Sequence, residues 1–295
     1  MCNDMSPEGV EVGMVNGSVT TGITDHRALA LEFQERGFLI IPDALSAAQI
    51  SELNRVVDRD LEKHGDAWVN FDESLMETPD VISRTAEFDF TIENPVTFGI
   101  LRSFLGELIT FEEFEIIIRN PTTKSQDIKA WHRDATRDYN RRMEIEYVSL
   151  VYYLTDVTES DHCLSIIPGS HYRRVDLHPT EVTPGSEFDV IGPAGTAVIF
   201  HGRCIHSGKL KPHSRQRRTL HVYYARSDQP RYSEWTEIPE RLYKKTDALL
   251  PPLLYSKWNP AAVFEGVGKK PRDLPSSLST AEMIREVQRR ANRVG

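Results

Sequence analysis

Past Gly106 the chain changes its period, and that change constrains the fold more than any other feature. Upstream, apolar residues recur at helical spacing; downstream they come in short runs rich in β-branched and aromatic residues. The runs are TFEEFEIIIR (110–119), YVSLVYYL (147–154), CLSII (163–167), TAVIF (196–200) and RTLHVYYA (218–225), separated by turn signals such as NP, PGS and GPAG. Strands of this kind predict an all-β core closing as a sandwich or barrel.

The region before it predicts a helical layer. DHRALALEFQERG reads as a helix stopped by Gly37, and the strand FLIIP follows it. SAAQISELNRVVDRDLEKHG opens on a Ser46/Gln49 capping box and sets Ile50, Leu53, Val57 and Leu61 on one face. In NPVTFGILRSFLGE, Asn94 is the N-cap, Pro95 sits in the first turn and Gly106 is the stop. The expected organisation is a flexible leader (1–24) and one mainly β domain of the α+β type (25–295). That domain divides into a helical layer (25–107), a core (108–226) and a C-terminal wrap and helix (227–295), the last helix opening on a Ser279/Glu282 capping box.

Charge and cysteine usage narrow the function. A net charge of −9 argues against nucleic acid as the main partner, since phosphate binding needs a basic surface. No run approaches the ~18 apolar residues of a membrane span. The N-terminus lacks the basic start and apolar block of a secretory signal, so a cytoplasmic location is the default expectation. Cys2, Cys163 and Cys204 are odd in number and widely spaced, which fits reduced thiols better than a disulfide framework. One stretch runs against the acidic balance: KLKPHSRQRR (209–218) holds five cations and no acid, as a solvated basic loop or an anion site.

The chemistry centres on WHRD. On an extended segment, His132 and Asp134 point to the same face, as two ligands of one ion must. Spacing alone proves little, because His64-Gly65-Asp66 repeats it at a helix end, where a histidine is favourable without any ligand. A third ligand is available in VIFHGRCIHSG, as His201 or His206. Two histidines and a carboxylate leave three positions of an octahedron open, which suits a non-haem Fe(II) site that must also admit oxygen and a cosubstrate. A closed zinc site would want a fourth protein ligand, and only Cys204 is near. Eleven residues after His206, Arg217 starts a predicted strand; its guanidinium fork could hold the far carboxylate of a dicarboxylic acid.

WHRD, DHCLSIIPGSH, GTAVIFHGRCIHSG and Arg217 together resemble the phytanoyl-CoA dioxygenase family of Fe(II)- and 2-oxoglutarate-dependent oxygenases, over about residues 110–225. The resemblance implies a double-stranded β-helix, or jelly roll. It implies that His132, Asp134 and His206 bind Fe(II) and that Arg217 holds 2-oxoglutarate. It further implies that O2 is consumed, with release of succinate and CO2 as a small-molecule or natural-product substrate is hydroxylated, desaturated or rearranged. Asp134 disfavours halogenation, because halogenating relatives carry a small residue at that position. The chain departs from the family pattern in reading DHCL where NGCL is common, in carrying Gly208 where a serine is frequent, and in carrying Val151 where some relatives place a tryptophan.

Other readings stay open at this level. A non-catalytic metal-binding sensor, or a non-oxidative hydrolase or isomerase, could use the same scaffold. His171 suits a structural turn role, while His162 and His213 read as exposed loop residues. One of Tyr223 and Tyr224 should face the pocket. The 135–146 segment, with Arg137, Arg141 and Arg142, is a candidate lid and, with KLKPHSRQRR, hints at an anionic substrate. The oligomeric state, monomer or homodimer, is left open.

Overall fold

Ser46 opens a helix as its spacing predicts: its hydroxyl accepts from the Gln49 N–H while the Gln49 side chain accepts from the Ser46 N–H. A computed structural model describes residues 26–70, 73–79, 81–106, 109–123, 131–135, 145–172, 182–212, 214–226, 236–243 and 254–255. Helix α1 (His26–Arg36) leads to β1 (Phe38–Ile41) and then to α2 (Ala47–His64). Gly37 joins the first two at φ +83°, and a Cβ there would fall 2.4 Å from both Cys204 Sγ and His171 Nδ1. The helix stop is therefore a packing requirement as well as a conformational one. Short helices α3 (Val81–Arg84) and α4 (Asp89–Ile92) precede α5 (Pro95–Leu105), whose Asn94 cap accepts from the Val96 N–H.

The remaining strands are β2 (Val69–Asn70), β3 (Leu75–Thr78), β4 (Ile109–Arg119), β5 (Tyr147–Tyr153), β6 (Cys163–Ile166), β7 (Phe188–Val190), β8 (Ala197–His201), β9 (His206–Lys209) and β10 (Arg217–Arg226). They form a seven-stranded sheet, ordered β1-β8-β5-β10-β4-β3-β2, and a three-stranded sheet, β7-β6-β9, with every pair antiparallel. This is the expected mainly β jelly roll. The six strands read from sequence are β1, β4, β5, β6, β8 and β10; the missed ones, β2, β3, β7 and β9, run two to four residues, too short to display a period. Residues 25–107 give more than a helical layer. They supply both edges of the large sheet, with β1 on β8 and β3 on β4.

One face of the large sheet packs on the helices. Phe114, Ile116, Ile118, Leu150, Leu220 and Val222 are fully buried there against Leu53, Val57 and Leu101. Each such side chain contributes roughly 1.5–3 kcal/mol. Tyrosine hydroxyls fasten the layers: Tyr152 donates to the Thr91 carbonyl at 3.1 Å and Tyr224 to that of Ile92 at 2.5 Å. The other face looks into the barrel. Toward β1 and β8 it is apolar, where Phe38, Val151, Val198 and Phe200 meet Cys163, Leu164 and Ile166 of the small sheet.

The leader and the predicted 279–293 helix lie outside the described residues. Of the expected C-terminal wrap, the described part holds a short helix, α6 (Glu240–Tyr243), and the buried Leu254 and Tyr255. No helix among the described residues is long and apolar enough to cross a membrane.

Candidate metal centre

His206 begins β9, and there the small sheet gains one more partner. The His132 N–H donates to the His206 carbonyl and the His206 N–H to that of His132, both at 3.0 Å. Residues so paired in an antiparallel ladder project to the same side. The two imidazoles accordingly lie 4.2 Å apart between ring centres. Two residues on, Asp134 returns to the same face, and the Ala135 N–H, donating to the Gly202 carbonyl, ties the segment to the barrel. Asp134 Oδ1 is 3.4 Å from His206 Nε2 and 3.7 Å from His132 Nε2. One ligand atom from each residue falls within 4.8 Å of the others, a spacing that fits a single metal ion.

The surroundings fix each donor. The Ser149 hydroxyl, from β5 in the opposite sheet, donates to Asp134 Oδ2 at 2.5 Å and leaves Oδ1 turned toward the histidines. His206 Nδ1 donates to the Cys204 carbonyl at 3.1 Å, which leaves the Nε2 lone pair for a metal. Burial pushes the His206 pKa down to about 4 against the opposing pull of Asp134, so the ring is neutral near pH 7, as coordination requires. His132 is more than half exposed, and the face opens to solvent on that side.

A polar wall runs beside the triad along β10 and β4. On β10 the inward residues are Arg217, Thr219, His221 and Tyr223; on β4 they include Glu113, Glu115 and Arg119. Arg217 and Arg119 are register partners and both are buried. Arg217 Nε has no hydrogen-bond partner, and among the described residues no carboxylate pairs with Arg217. Burial, then the charge of Arg119, lower its pKa. The unpartnered Nε of the buried Arg217 calls for an anion.

Other residues singled out in the sequence fall elsewhere. His201 ends β8 in the other sheet, its Nδ1 accepting from the Arg203 N–H and its ring beside Phe33 and His171, so it is a satisfied packing residue. His64 and Asp66 sit exposed around the end of α2. His162 corrects its reading: it is fully buried, its Nε2 donating to the Asn120 carbonyl and its Nδ1 accepting from the Lys211 N–H. His213 lies outside the described residues, as do residues 136–144 of the candidate lid. His171 has the expected turn role, bonded to the Gln34 carbonyl.

The basic stretch 209–218 is not a free anion site. Lys209 and Lys211 pair with Asp189, Arg215 with Asp161 and Arg218 with Asp58. Only Arg217 of the five cations turns inward to the barrel. Gly208 faces inward with His206, and a Cβ there would stand 4.0 Å from Arg119 Nη2. Ser207 alternates to the opposite face, so its hydroxyl does not replace the serine that relatives carry. Sequence reasoning missed Ser149, Glu115 and Arg119. Their one available signal was polar residues at alternate positions of strands otherwise built from large apolar ones.

Such a scaffold, with a three-ligand face and open positions beside it, is the architecture of the 2-oxoglutarate-dependent non-haem iron dioxygenases, and the protein is an enzyme of that class. More specifically, the chain belongs to the phytanoyl-CoA dioxygenase (PhyH) family, whose model matches residues 33–219. A probable alpha-ketoglutarate-dependent hypophosphite dioxygenase of Stutzerimonas stutzeri is 23% identical over 226 residues, covering 67% of this chain and 77% of the relative. The alpha-ketoglutarate-dependent carbocyclase SnoK from nogalamycin biosynthesis superposes with a TM-score of 0.58 at 20% identity, covering 72% of this chain and 88% of SnoK. HygX from Streptomyces hygroscopicus, solved with nickel, 2-oxoglutarate and hygromycin B, superposes with a TM-score of 0.56 at 16% identity, covering 68% and 87% of the two chains.

Proposed function

We propose that His132, Asp134 and His206 hold Fe(II), that Arg217 binds the far carboxylate of 2-oxoglutarate, and that the enzyme oxidises a small organic molecule. The observation that carries this reading is Arg217: a buried guanidinium with an unpartnered Nε and, among the described residues, no carboxylate partner, on the strand beside a three-ligand face. Iron bound there supplies oxygen activation coupled to the oxidative decarboxylation of 2-oxoglutarate to succinate and CO2.

The chain's own groups do the positioning. Ser149 holds the Asp134 carboxylate in the orientation that presents Oδ1, and the Cys204 carbonyl holds the His206 tautomer. Arg217 neutralises a carboxylate that would otherwise be expensive to bury, with Arg119 adding to the positive potential. The apolar half of the barrel interior is packed shut. Hydroxylation is the favoured outcome, with desaturation or rearrangement the other reactions open to such a centre. Relatives that act on or bind natural products support a substrate of that kind.

Calorimetry with 2-oxoglutarate tests the reading. Arg217→Ala should weaken binding to the metal-loaded protein roughly 100-fold, since a charge-assisted pair contributes about 1.5–3 kcal/mol, and Arg217→Lys should recover part of it. Unchanged affinity in both variants would sink the assignment.

A further inference from the structure

We propose that Glu115, on the cavity side of β4 beside the Tyr223 hydroxyl, forms a receptor for a positively charged group, and that the substrate is therefore an amine or quaternary ammonium compound. This deepens the oxygenase reading and rests on it for the reaction, though not for the binding.

Glu115 lies on the cavity side of β4, opposite His221 in register, and its side chain keeps 19% of its exposure. A strand residue that points into a barrel and still meets solvent lines an open space. That space is on the triad's side of the barrel, where burial and then the charge of Asp134 raise the Glu115 pKa.

Among the described residues no lysine or arginine pairs with the carboxylate. The Tyr223 hydroxyl donates to it at 2.6 Å, and His221 Nδ1 stands 3.8 Å away. His221 does not serve as the counter-charge, for burial and the nearby Arg217 push its pKa down to about 3. Thr219 donates to the Ile117 carbonyl (3.5 Å) and is hydrogen-bonded to His221 Nε2 (2.9 Å), His221 Nδ1 lies 3.3 Å from the Tyr223 oxygen, and the Tyr223 O–H donates to Glu115. Arg119 is four residues along the strand, ~13 Å at the usual rise per residue, and the rim cations Lys209, Lys211, Arg215 and Arg218 are paired with other acids.

The Tyr223 ring is itself held in place. Tyr147 and Tyr223 stack with centroids 5.9 Å apart at 29°. Gly202 fixes Tyr147 in place, since a Cβ there would meet its ring at 2.7 Å. A carboxylate that faces the cavity with only a tyrosine hydroxyl on it is what an ammonium group recognises, through an ion pair. An anionic substrate would meet repulsion from Glu115 and find the rim cations engaged.

Ligand-observed NMR on zinc-loaded protein with 2-oxoglutarate tests the proposal, using 2-deoxystreptamine and choline as cations, myo-inositol as the neutral probe, and hypophosphite and citrate as anions. At least one cation should bind, with affinity falling 10-fold or more in Glu115→Gln and partly restored in Glu115→Asp. Binding by neither cation, preference for the anions, or equal affinity in Glu115→Gln would each overturn it. Calorimetric 2-oxoglutarate binding by Glu115→Gln verifies that the variant is folded. Failure of the wild type to bind 2-oxoglutarate would count against the oxygenase reading alone and leave the cation result standing.

Discussion

The two faces of β10 carry opposite chemistry within ten residues. Leu220, Val222 and Tyr224 point outward and are wholly buried beneath the helical layer, whereas Arg217, Thr219, His221 and Tyr223 point into the barrel. The usual arrangement of an antiparallel sheet, apolar toward the core and polar toward water, is turned around here. Stability is concentrated on the covered outer face. Its inner face, relieved of much of that duty on β10 and β4, can hold charges that would be costly in a core. The apolar half of the interior, on β1, β8 and β5, closes the barrel behind them.

Substitutions that separate the two faces would sharpen this contrast, and the largest effect should come from the triad. Asp134→Ala should lower iron-dependent succinate formation by about a thousandfold or more, as loss of a ligand to the metal would. Thermal melting of the metal-free variant should stay close to the wild type. Comparable loss of stability would break the division between faces.

Outer-face truncation should behave in the opposite way. Phe114 is fully buried and packs 5.7 Å from Phe88, so Phe114→Ala should destabilise by roughly 3–5 kcal/mol. Denaturant unfolding measures this. Affinity for 2-oxoglutarate should be preserved at temperatures where the variant remains folded.

A smaller effect belongs to Ser149→Ala, which removes the hydroxyl that holds Asp134 Oδ2. Metal affinity should fall about 10–100-fold, read by titration against a chelator, while the ligand set itself is intact. No change in affinity would show that the carboxylate is held without Ser149.

The smallest is a pH effect at Glu115. Burial is the main cause that raises its pKa, to about 7, with the charge of Asp134 adding to it and the Tyr223 hydrogen bond opposing it. In the unfolded chain its value is the ordinary 4.5. Between those values the folded form holds a proton that the unfolded form has lost, so stability declines as pH rises from about 4.5 through 7. Glu115→Gln should flatten that slope, raising the melting temperature of the metal-free protein relative to wild type at pH 8 more than at pH 5. Parallel melting curves across pH would contradict the assignment.

Much of this was legible in order along the chain. The capping box at Ser46, the stop at Gly37, the cap at Asn94 and six strands depend on neighbours within a few residues, so local pattern reports them. The pairing of His132 with Asp134 is of the same kind, since alternation alone sets both on one face. Of the wider site, only the resemblance linked these residues to His206 and Arg217.

Tertiary structure decided what depends on register. The antiparallel bridge between His132 and His206, across 74 positions of sequence, set His206 in the group and left His201 in another sheet. Register also placed Arg119 beside Arg217, Ser149 over Asp134 and Glu115 beside the Tyr223 hydroxyl. It paired the basic loop with acids from distant segments, which its composition could not reveal. A one-residue slip would turn every one of these side chains to the opposite face. Sequence therefore determined which elements form and which residues carry the chemistry, while the long-range pairing of strands determined which of those residues meet.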